Sequence, residues 1–451
     1  MKRDDIKRLD GELTDFLVDI IQGLGRVERR AALGEYVWGL LLDGERKSIQ
    51  PMAARMTTTG DAEGLRQRLQ QAVVSADWQD DTVRQRLAVK VCAGLPGIEA
   101  LVVDDTGFPK KGMMSPGVAR QYSGTLGRID NCQVAVSLHV AGPDASACLA
   151  MRLYLPESWT SDPTRRKKAG IPDDIQFQTK WQLALEHIDT ARTWGASLPR
   201  VVVGDAGYGE AEPFRIGILE RGLDYVVAVP STVKVWAPGT GPLPPDAQTY
   251  AGRGRPRSRH TVGDAAPVTV GDLAAQLGRA ATTAVTWAPK RTSQFHGVRV
   301  CTAQGMRRGR GPGPEQWLIY EWLPSGESRQ WLSSLPAATP LVDLVRLAKL
   351  RWRIERDYQE MKSELGLDHY EGRTWRGYHH HATLCMLAHA FLALQRALFP
   401  PGPATTLDPA RGTRSHAARA DASPGHVPCL PTNDREPGGA ADTTATSRAS
   451  A

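Results

Sequence analysis

Apolar residues recur at intervals of three and four from Leu13 to about Leu95, and Leu13, Phe16, Leu17, Ile20, Ile21 and Leu24 form the first such stripe. That period belongs to amphipathic helices, so an all-helical N-terminal domain is expected over 1–97. At Ile98 the period changes. Residues 98–104, IEALVVD, form an apolar run too short for a helix that ends on an acid, and they read as a buried strand. Strand-like runs follow at 133–140 and 147–155, then an amphipathic helix at about 177–194 and a second buried strand at 200–205. A helix at 212–222 and a strand at 225–229 continue the alternation, which makes the middle of the chain α/β. From about 231 to 326 the sequence turns to Gly, Pro, Thr and Val with short alternating runs, such as 298–302 and 317–322, so a β-rich insertion is expected there. A long helix over 341–365 and another over 379–398 complete an α/β region spanning 98–398. The last stretch, 399–451, has almost no large apolar residue and is expected to be a disordered, low-complexity tail.

Composition narrows the picture modestly. With 451 residues, 41% of them hydrophobic, the chain can bury the cores of two or three domains. Lys plus Arg exceed Asp plus Glu by 56 − 49 = 7, which favours a polyanionic partner without demanding one. No run of 18 or more apolar residues occurs, and the opening MKRDDIKRLDGELTDF carries acids where a signal peptide needs its apolar core. A cytoplasmic place with no membrane contact is therefore expected. The six cysteines form no CxxC pair and read as reduced and structural. No GxxxxGK[ST] loop is present, so nucleotide hydrolysis is not expected.

Asp104 and Asp205 each end a buried-strand run, LVVD and VVVGD, and strand ends are where a rigid sheet presents a carboxylate to a cleft. Two such acids suggest a metal site, although each alone reads first as a cap on the following turn. A third acid comes from RWRIERDYQEMK, where Arg351, Glu355, Tyr358 and Lys362 stand at i, i+4, i+7 and i+11 on one helical face. Ile354, Tyr358, Met361 and Leu365 form an apolar stripe beside it, which places Glu355 at the edge of the core. The same spacing also suits a solvated helix with an Arg351–Glu355 ion pair.

The segments VVDDTGFPKKG, VVVGDAGYGE and LRWRIERDYQEMKSELGLDHYEGRTWRGYHHH resemble the signature regions of bacterial insertion-sequence DDE transposases, whose last acid lies in a Tyr-x2-Arg-x3-Glu-x6-Lys pattern. Arg351, Glu355 and Lys362 match that pattern, and Ala348 stands at its tyrosine position. The resemblance runs through nearly all of the chain but the tail. It implies a ribonuclease-H-like catalytic core over 98–398, with the β-rich insertion between the second Asp and the Glu, and an N-terminal domain that binds DNA ends. Asp104, Asp205 and Glu355 would be the catalytic residues and would hold two Mg²⁺ or Mn²⁺ ions, with Arg351 and Lys362 against DNA phosphate. The implied partner is double-stranded DNA, both transposon ends and target, bound by a homodimer in the bacterial nucleoid. The implied reaction is end cleavage followed by joining. An inactive DNA-binding repressor and a nuclease without joining activity remain open beside it. Asp104 is preferred to Asp105 because strand alternation puts them on opposite faces and because Asp104 and Thr106 fit the Asp-x-Thr pattern of similar transposases.

Weaker signals follow. Lys110, Lys111 and Arg120 lie in a Gly-rich basic segment after the first strand and suit phosphate contacts or a solvated loop. Arg253 and Arg255 in GRGRPRSRH resemble a minor-groove hook, or an exposed loop. Trp322 and Trp331 lie where similar transposases place a base-stacking aromatic, although a buried structural role fits as well. His379, His380 and His381 are consecutive on a helix and cannot converge on one ion.

Overall fold

The computed structural model describes residues 3–57, 60–245, 258–262, 265–289, 291–304 and 312–399; Arg253, Arg255 and the 400–451 tail lie outside them. The helical period at the start is realised as α1 (Arg3–Ile21), α2 (Val27–Leu41), α3 (Ile49–Met56), α4 (Ala62–Gln70) and α5 (Asp80–Gly94), with a π-helical turn at Gln71–Ser75. Asp61 caps α4 by accepting the Gly64 N–H, and the stripe from Leu13 to Leu24 is buried throughout.

The strands and helices that follow are β1 (Ala100–Pro109), β2 (Ala119–Ser123), β3 (Arg128–Ala141), β4 (Ser146–Leu153), α6 (Glu157–Thr160), α7 (Pro163–Ala169), α8 (Lys180–Arg192), β5 (Val201–Gly204), α9 (Ala206–Glu210), α10 (Glu212–Glu220) and β6 (Asp224–Val229). The stretch expected to be a β-rich insertion supplies β7 (Lys234–Trp236), β8 (Val268–Thr269), α11 (Val270–Leu277), β9 (Thr283–Ala288), β10 (Arg291–Thr302) and β11 (Glu315–Trp322). The chain returns through β12 (Ser328–Ser333) to α12 (Leu341–Lys349), α13 (Trp352–Ser363) and α14 (Trp375–Leu398).

The twelve strands of the described residues join one sheet in the order β2-β3-β1-β5-β6-β12-β11-β10-β7-β8, with β4 on β3 and β9 on β10. The pairs β1–β5 and β5–β6 are parallel, and β1–β3 and β3–β4 are antiparallel. The fold is therefore mixed α/β around one large sheet. The β-rich insertion extends that sheet through β12 rather than standing apart, because β12 pairs with both β11 and β6. Its seat on α12 is a charged one: the Lys349 ammonium pairs with buried Glu321 at 2.6 Å and faces the rings of Trp287, Phe295 and Trp331. Trp331 is thereby accounted for as a structural residue.

Two sequence expectations need correction. The helix expected over 341–365 is two helices, α12 and α13, with a tight turn at Leu350 and Arg351. The apolar face of α12 lies on β6 and β9, whereas that of α13 lies on β1, β3 and β4, so each helix follows its own surface. The second correction concerns β1, which does not end at Asp104 but runs on to Pro109.

Helix α14 is apolar on nearly every side because it is covered on nearly every side, by β4 on one flank and by α2 and α5 on the other. The three histidines serve that burial separately. His379 meets the Trp375 carbonyl at 2.9 Å, His380 lies between the carbonyls of Val73 and Trp78, and His381 lies between the Tyr36 hydroxyl and the Gly366 carbonyl. Among the described residues no helix is long and apolar enough to cross a membrane.

The N-terminal helices, α14 and the sheet share one apolar cluster, so their unfolding should be coupled. Leu33→Ala, at a fully buried position in α2, should cost about 2–5 kcal/mol and lower a single calorimetric transition. A separate early transition for the first hundred residues or so would show instead that these helices fold alone.

Candidate active site

The parallel pairing of β1 with β5 ends at Val103 opposite Gly204. Beyond that rung β1 continues while β5 turns into α9, and the next residue on each strand is an aspartate, Asp104 and Asp205. The strand-end reasoning thus holds for β5 and for the parallel ladder, although not for β1 itself. Asp205 also caps α9, since its Oδ1 accepts the N–H groups of Gly207 at 2.9 Å and Tyr208 at 3.2 Å. The cap and the site are therefore one arrangement, in which backbone donors fix the direction of the carboxylate.

Ligand atoms of Asp104, Asp105 and Asp205 all lie within 4.8 Å of one another. Strand alternation therefore does not hold the Asp105 carboxylate apart from the other two. Successive Cα atoms are only about 3.8 Å apart, so neighbouring residues on a strand can bring carboxylates within that range. Their surroundings still differ: Asp104 is buried, whereas Asp105 is half-buried and ion-paired with Lys180 at the start of α8. Burial pushes the Asp104 carboxyl up to about 7; Arg351 opposes the shift, and Asp205 and Asp105 add to it. The Asp205 carboxyl is raised as well, by burial first and then by Asp105.

Glu355 does not join this cluster. Its side chain is 65% exposed, and its Oε1 accepts from Arg351 at 2.6 Å. The expectation that it lies at the edge of the core is thus not met in this arrangement. The guanidinium of Arg351 stands between the two sets of acids, with Nε 3.8 Å from Asp104 Oδ2 and without a hydrogen-bond partner. The turn between α12 and α13 puts it there.

The remaining predicted residues take separate places. Lys362 is tucked against β1, donating to the Gly107 carbonyl at 2.9 Å and the Thr125 hydroxyl at 3.3 Å. It thereby pins the β2–β3 hairpin, and a side chain at Gly107 would collide with the Ser123 hydroxyl. Lys110 donates to the Tyr370 carbonyl at 3.1 Å, which ties the loop after β1 to the segment after α13. Lys111 and Arg120 are exposed. Trp322, at the end of β11, pairs across the ladders with Gln294 and Ser328.

Sequence reasoning passed over a polar network under the site. Asp357 is buried and accepts from Ser146 at 2.7 Å; it meets His139 Nδ1 at 3.1 Å, and His139 Nε2 lies 3.0 Å from the Ser137 hydroxyl. Ser137 stands opposite Asp104 in the β1–β3 ladder and meets the Tyr358 hydroxyl at 2.5 Å. The network binds α13 to the strand beside β1 and so fixes the helix that carries Glu355. Its members are scattered over β3, β4 and α13, and no spacing in the sequence marks them. Tyr208 was passed over too: its hydroxyl is buried near the three aspartates with no partner.

The donor set suits a hard divalent cation. Carboxylate oxygens are the ligands that Mg²⁺ and Mn²⁺ favour, and three of them crowded at a largely buried point need positive charge to ionise together. The orphaned Tyr208 hydroxyl adds a polar group with nothing else to bind.

Comparison with known proteins is consistent with this reading. The family described as DDE superfamily endonuclease matches residues 19–294, a span that includes Asp104 and Asp205 and stops short of Glu355. The chain is also 30% identical, over 197 residues, to a protein of Microchaete diplosiphon named as a probable transposase for insertion sequence element IS701. That alignment covers 43% of this chain and 47% of the relative, so the chain spans about half the length of the relative it matches. Both bear out the resemblance to insertion-sequence DDE transposases.

Asp205→Asn should weaken Mn²⁺ binding, read by isothermal titration, by roughly tenfold or more, and Asp105→Asn by less because Lys180 already matches its charge. An equal or larger loss with Asp105→Asn would make Asp105 a ligand of the same rank.

Proposed function

The chain belongs to the DDE superfamily of endonucleases, and on that premise we propose that it is an insertion-sequence transposase that cleaves transposon ends and joins them to target DNA. The observation that carries this reading is the meeting of Asp104, Asp105 and Asp205 where β1 and β5 part, with Arg351 linking them to Glu355. The reading takes the sheet from β4 through β3, β1 and β5 to β6 as a ribonuclease-H-like core, with an all-helical end-binding part before it.

In this proposal Asp104, Asp205 and Glu355 hold two Mg²⁺ or Mn²⁺ ions, and Asp105 lies beside them under the hold of Lys180. Bound metal supplies Lewis-acid activation of the attacking oxygen and charge neutralisation at the leaving one. The protein's own part is positioning. The backbone donors of α9 aim Asp205, and the Asp357–His139–Ser137–Tyr358 network seats α13. Glu355 reaches the site by leaving Arg351, whose guanidinium is then available to a DNA phosphate. Lys362 holds the hairpin against β1 beside that path, while Lys111 and Arg120 on the surface, with Lys110 behind them, suit the phosphates of double-stranded DNA. A homodimer fits a reaction in which two ends are brought together.

The test is cleavage of a labelled duplex carrying the DNA end that flanks the gene, in Mg²⁺, followed by transfer to a supercoiled plasmid. Wild type should cut and join, and Glu355→Gln should lower cutting by roughly a hundredfold or more. Equal cutting by the two would remove Glu355 from the mechanism. Cutting without joined product would favour a nuclease, and tight binding without cutting a repressor.

A further inference from the structure

Tyr208 stands in the first turn of α9, three residues after Asp205, and its backbone N–H donates to Asp205 Oδ1. Gly204 at the end of β5 lies against Tyr208: an added Cβ there would come within 3.3 Å of Tyr208 Cβ and 3.2 Å of a Val103 methyl. The Tyr208 ring packs on Phe214 with centroids 5.5 Å apart. The residue is 3% exposed, and its hydroxyl is buried without a hydrogen-bond partner. The charges of Asp105, Asp104 and Asp205 all act on that hydroxyl and, after burial, help keep it protonated.

An unpaired buried hydroxyl is destabilising, and phenylalanine would fill the same space without that penalty. Three carboxylates lie close, yet the hydroxyl bonds to none of them. We infer that Tyr208 is a catalytic residue whose hydroxyl donates a hydrogen bond to a non-bridging oxygen of the phosphate brought to the acid cluster. A donor fixed by packing and kept from water is already oriented when charge builds on that oxygen. No proton leaves the tyrosine, and the bond made and the bond broken are both at phosphorus. The inference rests on the DNA-cleaving reading for its substrate, but its first readout does not.

Tyr208→Phe should raise the melting temperature of the metal-free protein by roughly one to a few degrees, because it removes only the unpaired oxygen. The same variant should cut the labelled end duplex roughly ten- to a hundredfold more slowly, as expected for a hydrogen bond to a charged group. With Ca²⁺ in place of Mg²⁺, it should bind the uncut duplex several-fold more weakly if the oxygen is the phosphate's. Unchanged binding with slower cutting would overturn the assignment to the phosphate oxygen. A melting temperature that falls, or a cutting rate that stays at wild-type level, would overturn the inference. If wild type cuts no DNA, the functional reading fails, while a raised melting temperature in the variant would still show that the hydroxyl has no partner in the metal-free protein.

Discussion

Carboxylates that share one buried point repel each other, and most of the architecture around β1 and β5 serves to hold three of them there. Two unit charges 4 Å apart interact by about 4 kcal/mol at an effective dielectric of 20. Asp104, Asp105 and Asp205 lie within 4.8 Å of one another, so the repulsion is a substantial part of a protein's net stability. The structure offsets it in three ways: backbone donors at the start of α9 hold Asp205, Lys180 holds Asp105, and Arg351 approaches Asp104. Burial still leaves the Asp104 carboxyl raised to about 7. An arrangement that keeps acids together against their own charge is one adapted to a cation.

The position of Arg351 follows from the same constraint. One continuous helix would carry the apolar faces of α12 and α13 along a single line, but the sheet surfaces beneath them diverge, and the turn at Leu350 and Arg351 resolves the conflict. The turn also brings a guanidinium to the acids. In this arrangement Arg351 satisfies Glu355 at the surface and faces Asp104 inside, so the third acid of the proposed triad is held one ion pair away from the first two.

Much of this was legible in the sequence because it depends on local period and order. The helical stripe from Leu13, the alternation of strands and helices after Ile98 and the β-rich stretch before Leu341 all follow from which faces must be buried. Asp104, Asp205 and Glu355 stand out as candidates by their order and by the Arg351 and Lys362 spacing. What the sequence hid depends on long-range geometry. Strand alternation placed Asp105 on the far face of β1, but it carries no information about where β5 leaves the sheet. The period of four and three across 341–365 cannot register a turn that keeps every residue αR. His139, Ser137 and Asp357 become one network only when α13 lies on β3, and the unpaired hydroxyl of Tyr208 is a property of its surroundings alone.

The central claim is that the aspartate cluster is a divalent-cation site which draws Glu355 away from Arg351. Crystals grown with Mn²⁺ and measured at the manganese edge test it most directly. The account predicts anomalous density between the carboxylates of Asp104 and Asp205, with Glu355 turned toward it and its ion pair to Arg351 broken. No manganese at the cluster, or manganese bound there with Glu355 still on Arg351, would contradict it.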